Sequence, residues 1–184
     1  METFSPLQRI KRDFYSYRNG VTAELLRKAG SPFRFIFGLT LPQLTEIAVS
    51  NGKDLSLART LWGNSYTRCS MLIAPLLVPE NALEYDEARI WCSKIPATEV
   101  ADVLCHKLLV KEPYAKQLIE DLMTGSEMEK YTGLRLIMNI LKKTRIPEAK
   151  WETIAKCERI RSNATYENIK LAQQILDELD YLNE

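Results

Sequence analysis

Apolar residues recur along this chain at three- and four-residue spacing, in runs that are mostly short. Leu7, Ile10, Phe14 and Tyr17 form the first such stripe, the period of an α-helix that buries one face. Ser5 stands ahead of it as an N-cap with Pro6 in the first helical position. Asn19-Gly20 marks its end, and Thr22 opens the next helical run, TAELLRKA. The stretch SPFRFIFG has no helical period and reads as an extended, packed connector. Thr40 and Gln43 have capping-box spacing at the head of a helix that runs through Leu44, Ile47 and Ala48 to Asn51-Gly52. Asp54 caps LSLARTLW, and Ser65 opens YTRCSMLIAPLL, where Pro75 is placed to kink the last turn. Further helices follow in LEYDEARIWCSK, in EVADVLCHKLLV behind Thr98 as cap, in YAKQLIEDLM after Pro113, in the long EMEKYTGLRLIMNILKK behind Ser126, in EAKWETIAKCERI after Pro147, and from Ala164 to about Leu182.

The pattern predicts about ten or eleven helices and no strand. Short loops make consecutive helices antiparallel neighbours. From Asp54 onward the helices group into pairs over 54–78, 82–109, 113–142 and 147–182. LARTLW and YAKQLI, which open the first and third pairs, share an Ala-basic-x-Leu core. Repetition at this period predicts an all-α, α-α superhelix of HEAT-like antiparallel helix pairs, an α-solenoid, forming one domain over residues 1–184. An irregular bundle is the alternative. In a solenoid the second helix of each pair lines a concave face, a seat for a peptide, a helix or a nucleic-acid duplex. Fold alone does not choose among them.

Composition narrows the choice only a little. The 184 residues include 46% hydrophobic and 27% charged, and 25 Lys and Arg nearly balance 24 Asp and Glu for a net charge of +1. A protein that clamps many phosphates usually carries more, so any basic surface must be local. The second helices supply candidates: Arg68, Lys107, Lys111, Lys130, Arg135, Lys142 and Lys143, followed by Arg145. The last helix is acidic. The four cysteines form no CxxC pair and there is a single histidine, His106, so no metal or cofactor is expected. The thiols read as buried and reduced. No apolar run is long enough for a membrane span, and the N-terminus has no signal core; the expected location is cytoplasmic. Trp62, Trp91 and Trp151 stand at helical spacing among apolar neighbours, the setting of packing residues.

Three segments carry a resemblance: FGLTLPQLTEIA, LARTLWGNSYTRCSMLIAPLL and IPATEVADVLCHKLL. Together, over roughly residues 33 to 145, they resemble the DNA alkylation repair family, the HEAT-like repeat alkylpurine DNA glycosylases. The first is similar to that family's entry helix, the second to its Leu-Ala-x-x-Leu-Trp-x-Ser segment, and the third to the helix bearing its catalytic aspartate. The resemblance implies double-stranded DNA as partner, Asp102 as the catalytic carboxylate, and Tyr131 as a ring that holds the substrate; Trp91 is a second candidate ring, able to reach the groove if its helix turns inward. Among the basic residues of the second helices, phosphate contacts are expected from Arg68, Lys107, Arg135, Lys142 and Lys143, and from Arg145 in the following turn. The chain departs from the pattern at Thr98, where the family has tryptophan, at Gly133-Leu134, where it has two arginines, and at Thr45, where it has one.

The chemistry of such a site is simple. Alkylation at N3 or N7 leaves a purine cationic, and breaking its glycosidic bond builds positive charge on the sugar. A carboxylate beside that sugar stabilises the charge, and aromatic rings hold the cationic base. Asp102 equally suits a local pair with His106 one turn on. Three functions therefore stand side by side: a glycosylase of alkylated purines, a non-catalytic DNA-binding relative, and a protein-interaction scaffold.

Overall fold

The computed structural model describes residues 4–183 and divides the chain into two compact units, 1–83 and 84–184. Among the described residues there are eleven α-helices, one short 3₁₀ turn and one isolated β-bridge.

The first unit holds α1 (Pro6–Ser16), α2 (Gly20–Lys28), α3 (Leu41–Asn51), α4 (Leu55–Gly63) and α5 (Arg68–Leu77). Local chemistry sets their starts. Ser5 and Gln8 form a reciprocal capping box around α1, and Asp54 Oδ1 accepts the Leu57 N–H at 2.9 Å to open α4. α1 ends at Ser16 with Tyr17 as its C-cap, ahead of the expected stop at Asn19-Gly20, and Asn19 opens the next helix instead: its side chain accepts the Thr22 N–H at 3.0 Å and so caps α2, which begins two residues earlier than its apolar pattern suggests. The predicted connector is extended. It buries Phe33, Ile36 and Leu39, and Phe35 pairs with the 66–68 segment through Phe35 N–H to Tyr66 O at 2.9 Å and Arg68 N–H to Phe35 O at 3.1 Å. Gly38 makes this crossing feasible. Its φ is +77°, and a Cβ there would lie 2.1 Å from Asn19 O at the start of α2. Behind the connector, α4 and α5 pack as a pair and α3 lies on α5. α5 is buried nearly all round, as a helix apolar on every face must be, and Pro75 is accommodated in its last turn.

The second unit holds α6 (Tyr85–Ser93), α7 (Thr98–Lys107), a 3₁₀ turn (Leu109–Lys111), α8 (Ala115–Leu122), α9 (Glu127–Thr144), α10 (Ala149–Ile160) and α11 (Tyr166–Asn183). The predicted helix pairs are visible in the element order, but α7 packs chiefly on α9, while α6 leans on α8 and α9. The second helices thus form a contiguous layer, α7 on α9 on α11, with α8 packed on α9 and α10 on α11. Thr98 is the first helical residue rather than the cap; the cap position is Ala97, which offers no side-chain oxygen. Gly133 marks the closest approach of α9 to α8. A Cβ there would come within 3.1 Å of Met123 Sδ and 3.3 Å of the Leu122 Cβ. A long cationic side chain at 133 would have to displace that contact.

An ionic cluster joins α9 to the last helix pair. Glu127 Oε2 accepts from Arg161 Nη2 at 2.6 Å and from Asn168 Nδ2 at 3.2 Å, while the buried Glu158 carboxylate accepts from Arg161 Nε at 3.1 and 3.0 Å. The Arg161 guanidinium holds the Glu127 carboxyl below its usual pKa. A depressed folded pKa means stability that is present above the unfolded value of about 4.3 and lost as pH falls through the folded value. We therefore expect Glu127→Gln to lower stability by about 1 kcal/mol at neutral pH, a modest figure because the site is partly screened. Thermal melts of both proteins from pH 7 to pH 3 check this: the wild-type advantage should shrink in acid, and a gap that stays constant would contradict it.

Candidate nucleic-acid interface

Helical periodicity places two stripes of polar side chains on the facing sides of α7 and α9. On α7 and the turn after it, Asp102, His106 and Val110 follow one another at four-residue steps, with Lys107 and Lys111 beside them. On α9 the corresponding series is Tyr131, Arg135, Asn139 and Lys143, with Lys142 adjacent. Packing of α7 on α9 brings the stripes together.

At one end lies a carboxylate held by two partners. Tyr131 donates its hydroxyl to Asp102 Oδ1 at 2.9 Å and accepts from Arg135 Nη2 at 2.7 Å. Arg135 Nε lies 2.6 Å from the same Asp102 oxygen, an ion-pair distance without the N–H alignment of a hydrogen bond. Burial pushes the Tyr131 phenol above its usual pKa, so it stays protonated at neutral pH and remains a donor. Burial pulls the Arg135 guanidinium down, but the Tyr131 hydrogen bond and the Asp102 charge outweigh it, and its pKa rises. The guanidinium also lies over the Tyr131 ring, 5.4 Å from its centroid. The ring is only 6% exposed and its face is covered by Arg135. Asp102 itself keeps 44% of its side chain exposed, with Oδ1 committed.

At the other end, one turn along both helices, is a cavity of about 430 Å³ lined by His106, Lys107, Val110, Lys111, Asn139, Lys142 and Lys143. No carboxylate contributes to its lining. Lys143 Nζ reaches across to the Val110 carbonyl at 3.3 Å. Among the described residues, Lys107, Lys111 and Lys142 have no carboxylate within ion-pairing distance, in a unit where Lys116, Lys130, Lys150, Arg161 and others each do. Asn139 Nδ2 is shielded from solvent and has no acceptor. Four like charges round one concavity repel one another, and an anion relieves that repulsion.

The remaining candidates lie elsewhere. Trp91 is 3% exposed, so its ring packs in the interior of the second unit instead of meeting a ligand. Arg68 is buried in the first unit and donates Nη1 to the Leu39 carbonyl at 2.9 Å. Arg145 adopts the left-handed conformation that ends α9, pairs with Glu178 at 3.7 Å and lies over the Tyr181 ring. His106 is not among the hydrogen-bond partners of Asp102, whose contacts go to α9. Lys111 and Asn139 join the lining without having stood among the expected phosphate contacts. The signal for Asn139 was present: a lone amide inside the apolar run LIMNIL, one turn beyond Arg135.

A solved structure shares this fold with a TM-score of 0.79, over 92% of this chain and 74% of that chain, at 14% sequence identity. It is described as "a new family of proteins related to the HEAT-like repeat DNA glycosylases with affinity for branched DNA structures". No family model matches the sequence, and no curated protein matches it significantly. At 14% identity the likeness establishes architecture: this chain has the all-α, HEAT-like fold of paired helices.

Proposed function

We propose that this chain binds double-stranded DNA through the α7–α9 face, without needing to cleave it. The observation that carries the reading is the group of lysines at 107, 111 and 142, which no carboxylate among the described residues neutralises. A net charge of +1 gives the molecule no general attraction for polyanions, so a local group of unneutralised cations is the feature a phosphate backbone would select. The relative of the same fold has affinity for branched DNA structures, which makes branched duplexes the first ligands to test beside linear ones. Binding should weaken steeply with salt, because each neutralised phosphate releases counterions. Anisotropy titrations between low and moderate salt measure this. The double variant Lys107→Gln/Lys142→Gln should flatten the slope of log K against log salt by about 2. An unchanged slope would place the DNA elsewhere, and binding insensitive to salt would exclude this reading altogether.

One observation favours a second, catalytic reading. Tyr131 and Arg135 both hold Asp102 by Oδ1, which leaves the other carboxylate oxygen of a half-exposed side chain to face a sugar. Against it, Arg135 offsets the negative charge that an oxocarbenium-like transition state needs, and neither Tyr131 nor Trp91 presents a free ring to a cationic base. The binding reading expects no methylated purine to be released from alkylated DNA. It also expects Asp102→Asn to bind DNA at least as tightly as wild type, because a negative charge leaves the face that DNA approaches. Base release that disappears in Asp102→Asn would establish the catalytic reading instead.

A further inference from the structure

We infer that the lysine-lined cavity receives a terminal phosphate, a phosphomonoester rather than a phosphodiester of continuous backbone. This rests on the DNA-binding reading and names the part of the ligand the cavity takes.

Three observations point there. The first is charge. Lys107, Lys111, Lys142 and Lys143 line the cavity with no acidic residue among its walls. A backbone diester carries a single negative charge, whereas a monoester approaches two at neutral pH. The second is shape. The lysines come from two walls, α7 with its following turn and α9, around a concavity of about 430 Å³. A diester is tethered on both sides and meets a protein as a ridge. A phosphate esterified once projects from the end of a chain and can enter between walls, and this volume also admits the sugar that bears it. The third is donor chemistry. Asn139 Nδ2 is shielded, unpaired and part of the same lining. With the ammonium groups it makes a set of donors for an acceptor-only group with three terminal oxygens.

The chemistry is shared by a phosphorylated DNA end and by a free phosphomonoester, and the experiment separates them. Three duplexes of one sequence, internally labelled, carry 5′-phosphate, 3′-phosphate or only hydroxyl ends. Their affinities are compared by anisotropy at constant ionic strength. One phosphorylated end should bind roughly tenfold tighter than the hydroxyl end, equivalent to about 1.4 kcal/mol. Lys111→Gln/Lys142→Gln should bring that ratio to about 1. Both side chains are exposed and without ion pairs among the described residues, so a melting temperature equal to wild type confirms that the variant is folded. Equal affinity for all three ends, with binding still salt-sensitive, overturns the terminal-phosphate inference and leaves the DNA-binding reading standing. If no duplex binds, the DNA-binding reading falls, and thermal shifts with adenosine monophosphate decide the cavity alone. Stabilisation of wild type but not of the double variant then supports a free phosphomonoester as occupant, and stabilisation of neither overturns the inference.

Discussion

The packing of α7 against α9 is the constraint on which the rest of this structure depends. It brings together residues 27 or more positions apart in sequence, as Cys105 with Thr132 and Asp102 with Tyr131, and makes one polar face from two helices. The seam beneath that face is apolar and tight. Val100, Leu104, Leu134 and Ile137 are fully buried, and the Cys105 thiol donates to the Thr132 carbonyl at 3.4 Å. Burial pushes that thiol well above its usual pKa, so it remains a neutral packing group rather than a nucleophile. Above the seam, the Tyr131–Asp102–Arg135 contacts satisfy one another, while the lysines a turn away find no counter-charge among the described residues. A single helix contact thus yields a neutralised site and an unneutralised one, side by side.

That contrast shapes the functional argument. A carboxylate already paired with a guanidinium contributes less to stabilising a cation than a lone one, because the two charges are screened together. An unpaired lysine cluster has the opposite property and gains most from an anion. The proposed binding of nucleic acid rests on that local charge, while the solved structure of like fold shares architecture alone. The first unit contributes differently. Its candidate cation, Arg68, is used up internally, fastening α5 to the connector through the Leu39 carbonyl.

Much of the fold was legible because its signals are local. Ser5, Asp54 and Ser126 each bond an amide three residues on, and the connector's aromatic run lacks helical period for the reason it is extended. Asn19-Gly20 has the composition of a helix stop, yet Asn19 is the cap of α2, because α1 already ends at Ser16. The partner of α7 was not legible from order in the chain. Sequence neighbours suggest α6, but α7 packs chiefly on α9. The resemblance set Asp102 and Tyr131 in one site, and they do lie in hydrogen-bond contact. It could not show that Arg135, one residue beyond the expected arginine positions, would reach back to both, nor that Gly133 is required by the approach of α9 to α8. Trp91 and Arg145 show the limit of reading residue type without contacts: ring and charge are present, yet one is enclosed and the other is committed to α11.

The most direct test of the account is lysine footprinting with and without duplex DNA, in which brief acetylation is read out by mass spectrometry. Every lysine serves as its own reporter in the unmodified protein. The account predicts that DNA shields Lys107, Lys111, Lys142 and Lys143, while Lys116, Lys150 and Lys156, which are paired with glutamates elsewhere on the second unit, keep their reactivity. Protection of that second group with the first left open would contradict it.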